Sequence, residues 1–451
     1  MQTIYDIVKP FNRLLKKQKV KNGETYRPMY YVVEQPVEEG LLLYHTMTKA
    51  LLLLTPEEAK VYKTKPATLP QLIELWFLVP QSHDDRLLSR QIRDVAKMLE
   101  KKSDAITNYT ILTTTDCNAR CFYCYEMGRS RIPMSRETAI QTTNYIINHC
   151  QGQKVTLHWF GGEPLYNKPV VTLICQRLKD AGIKFTSKMT SNGFLFDDDM
   201  IKEAKDLWQL HEVQITLDGT EKVYNRSKAF IYKDVNAYRR VIDNIHCLQE
   251  ADIAVRIRLN IDMHNADNLM ELVEVLHQEF DKPKGINVYI HPLFEESKGN
   301  YTIHNEHKRA YIFGKMKEIR ACLSDYGFVE PSKLRRSIKK YACQADNDQC
   351  VMIMPSGNIG KCDHYTEDHF VGHIIHETYD QEQLEQFKEL RMEIEACTTC
   401  PIYPTCLVLK LCISNGHCYE ETREEATHGI RQGMLNAYQQ IKNNQQDETN
   451  H

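Results

Sequence analysis

The feature that most constrains the fold is an alternation of short apolar, β-branched stretches with segments of helical periodicity, between about residues 106 and 325. Strands that alternate with helices form a parallel sheet through right-handed crossovers. Six such repeats fall short of the eight of a closed barrel, so we expect an open, partial (β/α)6 barrel of the TIM type with reactive residues at the carboxyl ends of its strands. The predicted strands are Tyr109–Thr114, Val155–Phe160, Phe185–Thr190, Val213–Leu217, Ile253–Ile261 and Ile286–Ile290. The predicted helices cover about 135–150, 168–181, 198–208, 235–250, 266–280 and 303–325.

The rest of the chain divides around this region, because 451 residues are too many for a single ordinary core. Residues 1–105 contain no cysteine and predict a small, winged-helix-like N-terminal unit. Residues 326–425 are rich in cysteine and poor in periodic segments, as expected where metal centres replace a hydrophobic core. Residues 426–451 predict a C-terminal helix and then, after about 436, a polar tail that we expect to be disordered. In the N-terminal unit the predicted strands are Met29–Glu34 and Leu41–Tyr44, and the predicted helices are Pro56–Tyr62, Leu69–Leu75 and Asp85–Leu99.

Charge and composition exclude several classes of partner. The net charge of −3 argues against a general nucleic-acid binder, which would carry a large basic excess. No apolar stretch reaches the length that spans a membrane, and the first residues have no apolar core of a secretory signal. We therefore expect a cytoplasmic protein. Its 15 cysteines then predict metal or cluster ligands, because cytosolic thiols stay reduced.

A first group of cysteines lies directly after the first predicted strand. Cys117, Cys121 and Cys124 are spaced by three and then two residues within one loop. A tetrahedral zinc site or a closed four-iron cluster takes four protein ligands, so three thiolates leave one iron open to an exogenous ligand. A zinc site completed by a distant residue is the alternative interpretation.

Glycine-containing segments follow the next three strands of the predicted barrel. They are Gly161–Pro164, Ser191–Gly193 and Leu217–Gly219. Each segment alone is compatible with an ordinary turn. Because all three fall at the carboxyl ends of neighbouring strands, together they predict one site.

This combination of cysteines, with Tyr123 among them and Gly161–Pro164 further along, resembles the radical S-adenosylmethionine superfamily over about 106–325. The resemblance implies that Cys117, Cys121 and Cys124 hold a 4Fe-4S cluster, whose open iron binds the amino and carboxylate groups of S-adenosylmethionine. One electron from the cluster would break the S–C5′ bond. The resulting 5′-deoxyadenosyl radical would take a hydrogen atom from a substrate carbon. In such chemistry the protein supplies position and insulation.

The same resemblance assigns other side chains to S-adenosylmethionine. It implies that Tyr123 lies against the adenine. It also implies that Gly161, Gly162 and Glu163 meet the amino group of the methionine.

Further contacts to the cofactor are expected near the ends of the later strands. The resemblance implies that Ser191 and Asn192 lie near the ribose or the carboxylate. Arg226 is a candidate partner of the carboxylate, since a guanidinium pairs with a carboxylate in a bidentate way; a surface arginine is the alternative. Asp218 and Asn260 are further candidates.

Eight more cysteines lie in the last third of the chain. Their spacing resembles the SPASM extension of peptide-modifying radical enzymes. That family has three residues between the third and fourth cysteines of the later run, whereas this chain has Leu407–Leu411 and places Lys410 where a cysteine is expected. We take Cys412 as the shifted equivalent. The eight are Cys343, Cys350, Cys362, Cys397, Cys400, Cys406, Cys412 and Cys418.

On this resemblance the eight cysteines hold two auxiliary 4Fe-4S clusters, which makes three clusters in the chain. A pair of zinc knuckles is the alternative. One cluster would be held by Cys343, Cys350, Cys362 and Cys412, which we call the first auxiliary set. The other would be held by Cys397, Cys400, Cys406 and Cys418, which we call the second auxiliary set.

Enzymes with this extension usually act on peptides or proteins, forming crosslinks, epimerising residues, or oxidising cysteine or serine to formylglycine. We therefore expect a maturase of a ribosomally made peptide, with a reductase such as flavodoxin or ferredoxin as electron donor. Residues 1–105 would bind the leader of the precursor as an added strand or, alternatively, cap the barrel. A sulfatase-type maturase is the second hypothesis, in which Asp363 removes a proton from the substrate; the alternative for Asp363 is a turn cap or an ion pair with Lys361. An iron–sulfur electron carrier is a non-enzymatic alternative.

Overall fold

The computed structural model describes residues 1–8, 11–21, 23–99, 103–280, 283–293, 295–297, 300–303, 305–365, 367–376, 378–412 and 418–449. In the N-terminal unit, four strands pair in the antiparallel order β1-β5-β4-β3, and β2 pairs with β6. The strands are β1 (Gln2–Tyr5), β2 (Tyr26–Pro28), β3 (Val32–Val37), β4 (Gly40–His45), β5 (Leu51–Leu54) and β6 (Leu78–Pro80). The helices are α1 (Phe11–Leu14), α2 (Pro56–Thr64), α3 (Pro70–Glu74) and α4 (Asp85–Met98).

Strand β5 is a run of four leucines that the sequence did not identify as a strand. Such a run lacks the alternation of apolar and polar residues that marks a half-exposed strand, because both faces of β5 are buried. Leu52 and Leu54 pack on the side of Tyr62 in α2. Leu51 packs on the opposite side, against Met434 near the end of the chain.

The central region is the predicted partial barrel. Its six parallel strands lie side by side in the order β12-β11-β10-β9-β8-β7. The strands are β7 (Asn108–Thr114), β8 (Val155–Gly161), β9 (Phe185–Ser191), β10 (Leu210–Thr216), β11 (Ala254–Ile261) and β12 (Ile286–Pro292). The helices are α5 (Arg136–His149), α6 (Lys168–Asp180), α7 (Asp198–Asp206), α8 (Glu221–Lys228), α9 (Ala237–Glu250), α10 (Ala266–Glu279) and α11 (Glu306–Asp325). Of these helices, only α8 was absent from the sequence prediction.

The C-terminal region extends the same sheet. Strand β15 (Cys350–Ile353) pairs in parallel with β7, and β16 (Asn358–Gly360) and β17 (Gly372–His373) follow in antiparallel order. A short hairpin, β13 (Glu295–Ser297) and β14 (Asn300–Thr302), precedes α11. The last helices are α12 (Gln381–Gln386) and α13 (Glu420–Thr449). None of the described helices is long and apolar enough to cross a membrane.

Helix α13 continues through most of the segment that the sequence predicted as a polar tail. It does so because it packs on the N-terminal sheet. Met434 and Ala437 share a buried cluster with Tyr44, and Arg431 Nε donates to the Glu34 carbonyl at 3.3 Å. The tail prediction was therefore wrong up to Thr449, because the polarity of the segment hid an apolar stripe.

The N-terminal unit also contacts the second auxiliary set. The rings of Tyr31 and Tyr403 stack with centroids 5.8 Å apart, and Thr46 Oγ1 donates to the Pro401 carbonyl at 2.5 Å. Cys400 belongs to the same buried cluster as Tyr31. The unit therefore shares a core with the C-terminal region.

Candidate functional site

The first cysteine loop begins where β7 ends. Asp116 N donates to Thr114 Oγ1 at 2.9 Å, and Cys117 N donates to Asp116 Oδ1 at 2.8 Å. Cys117 Sγ accepts from Ala119 N at 3.3 Å and from Asn192 Nδ2 at 3.7 Å. These bonds fix the direction in which the loop leaves the sheet and orient its first thiol.

The three thiols of this loop lie close enough to influence one another. Burial and the charge of Glu163 raise the pKa of Cys117 to about 12. Burial also raises the pKa of Cys121 and Cys124, and the charge of Cys121 adds to the shift at both of its neighbours. In the described part of the chain, no group of three or more His, Cys, Asp or Glu side chains surrounds a single ion position.

Gly161 and Gly162 allow the end of β8 to lie directly against the start of this loop. A Cβ at Gly161 would lie 2.1 Å from the Thr114 carbonyl oxygen, and one at Gly162 would lie 2.3 Å from that of Asp116. Gly161 also has φ +120°, a value that side chains rarely tolerate. Their contact with a methionine amino group stays a prediction, but the close backbone approach explains why both positions are glycine.

Glu163 joins the ends of β8 and β9. Its carboxylate is fully buried and accepts from Ser191 Oγ at 2.9 Å, Asn192 N at 2.7 Å and Leu165 N at 3.2 Å. Burial raises the pKa of Glu163 to about 7, against the opposing effect of these donors. The predicted residues Glu163, Ser191 and Asn192 thus form one hydrogen-bonded group beside Cys117.

A second buried group surrounds Tyr123. Its hydroxyl donates to Asp218 and accepts from Lys228 Nζ at 2.7 Å. Lys228 forms an ion pair with Asp218 at 3.0 Å, and Asn260 Nδ2 donates to the same carboxylate at 3.1 Å. Burial alone would lower the pKa of the Lys228 ammonium, but the charges of Asp218 and Cys121 outweigh it and hold that pKa above its usual range.

Lys228 is the residue of this site that the sequence analysis missed. It lies on α8, the unpredicted helix, two positions after the candidate Arg226. Arg226 is exposed and lines a cavity of about 180 Å³ beside Tyr123 and Asp218, whereas Lys228 is buried against both. The local sequence does not distinguish Lys228 from Lys222, which lies earlier on the same helix and is exposed. The role of Arg226 toward a carboxylate stays a prediction.

In the first auxiliary set, Cys343, Cys350 and Cys362 each lie within electrostatic reach of another member of the set. Burial raises the pKa of Cys343, Cys350 and Cys362, and neighbouring thiolates raise it further. The charge of Cys343 raises the pKa of both Cys350 and Cys362. The charge of Cys412 raises the pKa of both Cys343 and Cys362. Cys412, the member with the irregular spacing, therefore lies near Cys343 and Cys362.

The members of the second auxiliary set also influence one another electrostatically. Burial raises the pKa of Cys400, and the charges of Cys406, Cys418 and Cys397 add to it. The charges of Cys418 and Cys397 also raise the pKa of Cys406. The division of the eight cysteines into two interleaved sets of cluster ligands stays a prediction.

Asp363 lies between the first cysteine loop and the first auxiliary set. Its Oδ1 is 3.8 Å from Cys362 Sγ. Besides burial, its charge raises the pKa of Cys362 on one side and that of Tyr125, next to Cys124, on the other. Lys361, the alternative ion-pair partner, instead donates to the carbonyls of Asn347 at 2.8 Å and Cys350 at 2.6 Å.

The arrangement around Asp218 predicts the effect of removing its cation. In a Lys228→Gln variant the Asp218 carboxylate would stay buried without its ion-pair partner, which costs about 3–5 kcal/mol. We expect the free energy of unfolding, measured by chemical denaturation, to fall by that order. Lys222→Gln, an exposed change on the same helix, is the control. Equal stability of the two variants would contradict the prediction.

Comparison with known proteins identifies the central region. Residues 111–278 match the sequence model of the radical SAM superfamily. The Fe-coproporphyrin III synthase of Methanosarcina barkeri is 25% identical over 168 residues, which are 37% of this chain and 40% of that protein. A probable GTP 3′,8-cyclase of Methanococcus vannielii is 25% identical over 169 residues, or 37% of this chain and 54% of that protein. The chain thus spans about half or less of the length of these curated relatives.

Solved structures share the fold over a longer range. The structure of anSMEcpe with bound AdoMet superposes with a TM-score of 0.54 at 15% identity, covering 74% of this chain and 98% of that one. SuiB of Streptococcus suis bound to S-adenosylmethionine gives a TM-score of 0.50 at 14% identity, covering 84% and 94%. The parallel strands, the cysteine loop after the first of them and the sequence match agree, and residues 111–278 are a radical SAM domain.

Proposed function

We propose that this protein is a radical SAM enzyme that modifies a ribosomally made peptide, with three 4Fe-4S clusters. The observation that carries the proposal is the electrostatic proximity of the late cysteines within each of the two predicted sets, one of which includes Cys350 on the strand that pairs with β7. A radical SAM domain alone needs only the first three thiols. Two further clusters, held by the two auxiliary sets, would supply sites for electrons that leave a substrate.

The residues of the barrel fit the cofactors that this function needs. Cys117, Cys121 and Cys124 would hold one cluster by three thiolates, and Nδ2 of Asn118 beside them is buried with no hydrogen-bond partner in the described part of the chain. When bound, the cluster and S-adenosylmethionine supply a carbon-centred radical that removes a hydrogen atom. Around them, Glu163 orients the ends of β8 and β9.

The buried group at Tyr123 would act by preorganisation. The ion pair of Asp218 and Lys228 holds the Tyr123 hydroxyl from two directions, so the ring cannot turn without breaking buried hydrogen bonds. Because the side chain is already held in one conformation, it loses little conformational entropy when the adenine binds.

A triple variant tests the radical site. We expect Cys117→Ala, Cys121→Ala and Cys124→Ala together to abolish formation of 5′-deoxyadenosine and to lower the iron content by about a third, because one of three clusters loses its ligands. Iron analysis and product chromatography on anaerobically reconstituted protein measure both quantities. The control combines Cys247→Ala with Cys322→Ala, which removes two half-buried cysteines that form no part of any set. Reductive cleavage that persists in the triple variant would refute the proposal.

A peptide is the substrate that the fold favours. SuiB has been solved with a precursor peptide, SuiA, and anSMEcpe with a Cp18Cys peptide. The N-terminal sheet of this chain is covered on both faces, so its edges, β1 and β3, are the places where a leader could add as a strand. Such a reaction needs a low-potential electron donor such as flavodoxin or ferredoxin. We assign the enzyme to the cytoplasm.

Hydrogen exchange of the whole chain tests leader binding without removing the N-terminal unit. The probe is a candidate precursor peptide chosen from short reading frames next to the gene, with a version scrambled in its N-terminal half as control. We expect the intact peptide to slow amide exchange in Gln2–Tyr5 or Val32–Val37, because added-strand hydrogen bonds protect the edge to which they form. Protection confined to the barrel would favour the alternative in which the N-terminal unit caps the barrel and does not bind the leader.

Asp363 supports a sulfatase-type maturase as the second candidate. Its position between the first cysteine loop and Cys362 suits a base that removes a proton from a substrate held there.

Replacing this carboxylate separates the two steps of the reaction. We expect Asp363→Asn to keep 5′-deoxyadenosine formation and the full iron content but to lose most of the product, since the amide cannot accept the proton. Asp368→Asn, an exposed aspartate nearby, is the control. Mass spectrometry of the peptide product provides the measurement. A wild-type product yield from Asp363→Asn would show that Asp363 has a structural role and is not the base.

A further inference from the structure

One face of the barrel sheet is polar. Successive side chains of a strand point to opposite faces of a sheet. On β11, Val255, Ile257 and Leu259 point to the face that the helices cover, and all three are buried. The opposite face, which we call the inner face, carries half-buried polar side chains on neighbouring strands: His158, Lys188, Gln214, Arg258, Tyr289 and His291. In a closed barrel this face is filled by Val, Ile and Leu, so a polar and partly open inner face indicates contact with a polar ligand.

Two cations of the inner face have no carboxylate partner. Among the residues that the structure describes, neither Lys188 nor Arg258 forms an ion pair with an Asp or Glu side chain. Arg256, on the same face of β11, is instead paired with Glu212 at 3.3 Å. Burial and the charge of Arg258 lower the pKa of His291 to about 4, so this ring is neutral at neutral pH and adds no charge of its own. The inner face therefore carries positive charge that an anionic ligand would neutralise.

Arg258 is connected by hydrogen bonds to the buried group around Tyr123. Arg258 Nε donates to Asn260 Oδ1 at 2.8 Å, and Arg258 Nη2 lies 3.0 Å from His291 Nδ1. Asn260 Nδ2 donates in turn to the Asp218 carboxylate at 3.1 Å, and the same carboxylate accepts from the Tyr123 hydroxyl. These contacts orient the guanidinium and leave N–H groups on Nη1 and Nη2 for a ligand. Of the two unpaired cations, Arg258 is thus the one that lies next to the expected position of S-adenosylmethionine.

We propose that Arg258 is a specificity-determining residue that binds a carboxylate of the substrate peptide. The inference rests on the proposed function, in which the substrate is a peptide. A planar guanidinium pairs with a carboxylate through two parallel hydrogen bonds, and the ion pair removes the charge that the chain leaves uncompensated. The carboxylate belongs either to an Asp or Glu side chain of the peptide or to its C-terminus. Its binding beside the Tyr123 group would decide which part of the peptide lies within reach of the radical.

Fluorescence anisotropy of a labelled peptide on the reconstituted full chain, with S-adenosylmethionine present, tests the contact. The probe is the candidate precursor peptide used for hydrogen exchange, prepared in three forms. One form is unchanged, one has the Asp and Glu residues of its C-terminal half replaced by Asn and Gln, and one ends in a C-terminal amide. We expect Arg258→Gln to weaken binding of the unchanged form about tenfold, because one charge-assisted pair is lost. The form that already lacks the recognised carboxylate should bind the variant and the wild type equally well.

Two further variants separate recognition from folding. Arg256→Gln is the matched control, because Arg256 lies on the same strand and the same face but is already paired with Glu212. It should leave the affinity for all three forms unchanged. Arg258→Glu should bind a peptide that carries Lys in place of the recognised acidic residue better than it binds the unchanged peptide. A misfolded variant would not gain affinity from a change in the peptide.

The outcomes separate this inference from the function on which it rests. Equal weakening of all three forms by Arg258→Gln would overturn the role of Arg258, and so would an equal effect of Arg256→Gln. A comparable loss of affinity for S-adenosylmethionine in Arg258→Gln would assign the guanidinium to the cofactor and overturn it as well. A wild-type chain that binds none of the three forms would refute the peptide substrate, and the inference with it.

Discussion

The pairing of β7 with two neighbours is the constraint on which the rest of the structure depends. On one side β7 pairs with β8, and on the other with β15, which begins at Cys350. The loop that carries Cys117 leaves the end of β7, so one strand connects the radical domain with the C-terminal region. Because both pairings are parallel and fixed in register, the distance between the two cysteine regions is set by the backbone of one sheet.

Much of the barrel could be predicted because its signals are local. Apolar residues recur every 2 residues in a strand that packs one face on helices, and every 3.6 residues in a helix with an apolar stripe. Both periods are visible in a sequence. Helix α8 was missed because it is short and polar, with its buried side chains confined to Tyr224, Ser227 and Lys228. Two positions on a helix differ by about 200° in direction, which is why Arg226 is exposed while Lys228 is buried.

The grouping of the late cysteines into two sets could not be predicted from spacing alone. Cys412 reaches Cys343 and Cys362 through tertiary folding, and no local pattern specifies which distant thiols meet. The resemblance to a known extension supplied that grouping. The buried polar groups were predicted only in part for the same reason. The sequence placed Glu163 and Ser191 at strand ends, but the hydrogen bond between them depends on the register of β8 against β9.

The N-terminal unit is not an independent module, and this affects how a leader could act. Tyr31 and Thr46 hold the segment between Cys400 and Cys406, and Cys400 shares a core with Tyr31. Deleting the unit would expose that core, so the loss of activity in a truncated chain would not identify a binding role. The contact also has a thermodynamic consequence. If a leader binds the unit more tightly when the second auxiliary set is ordered, then leader binding must stabilise that set by the same free energy, because linkage is reciprocal.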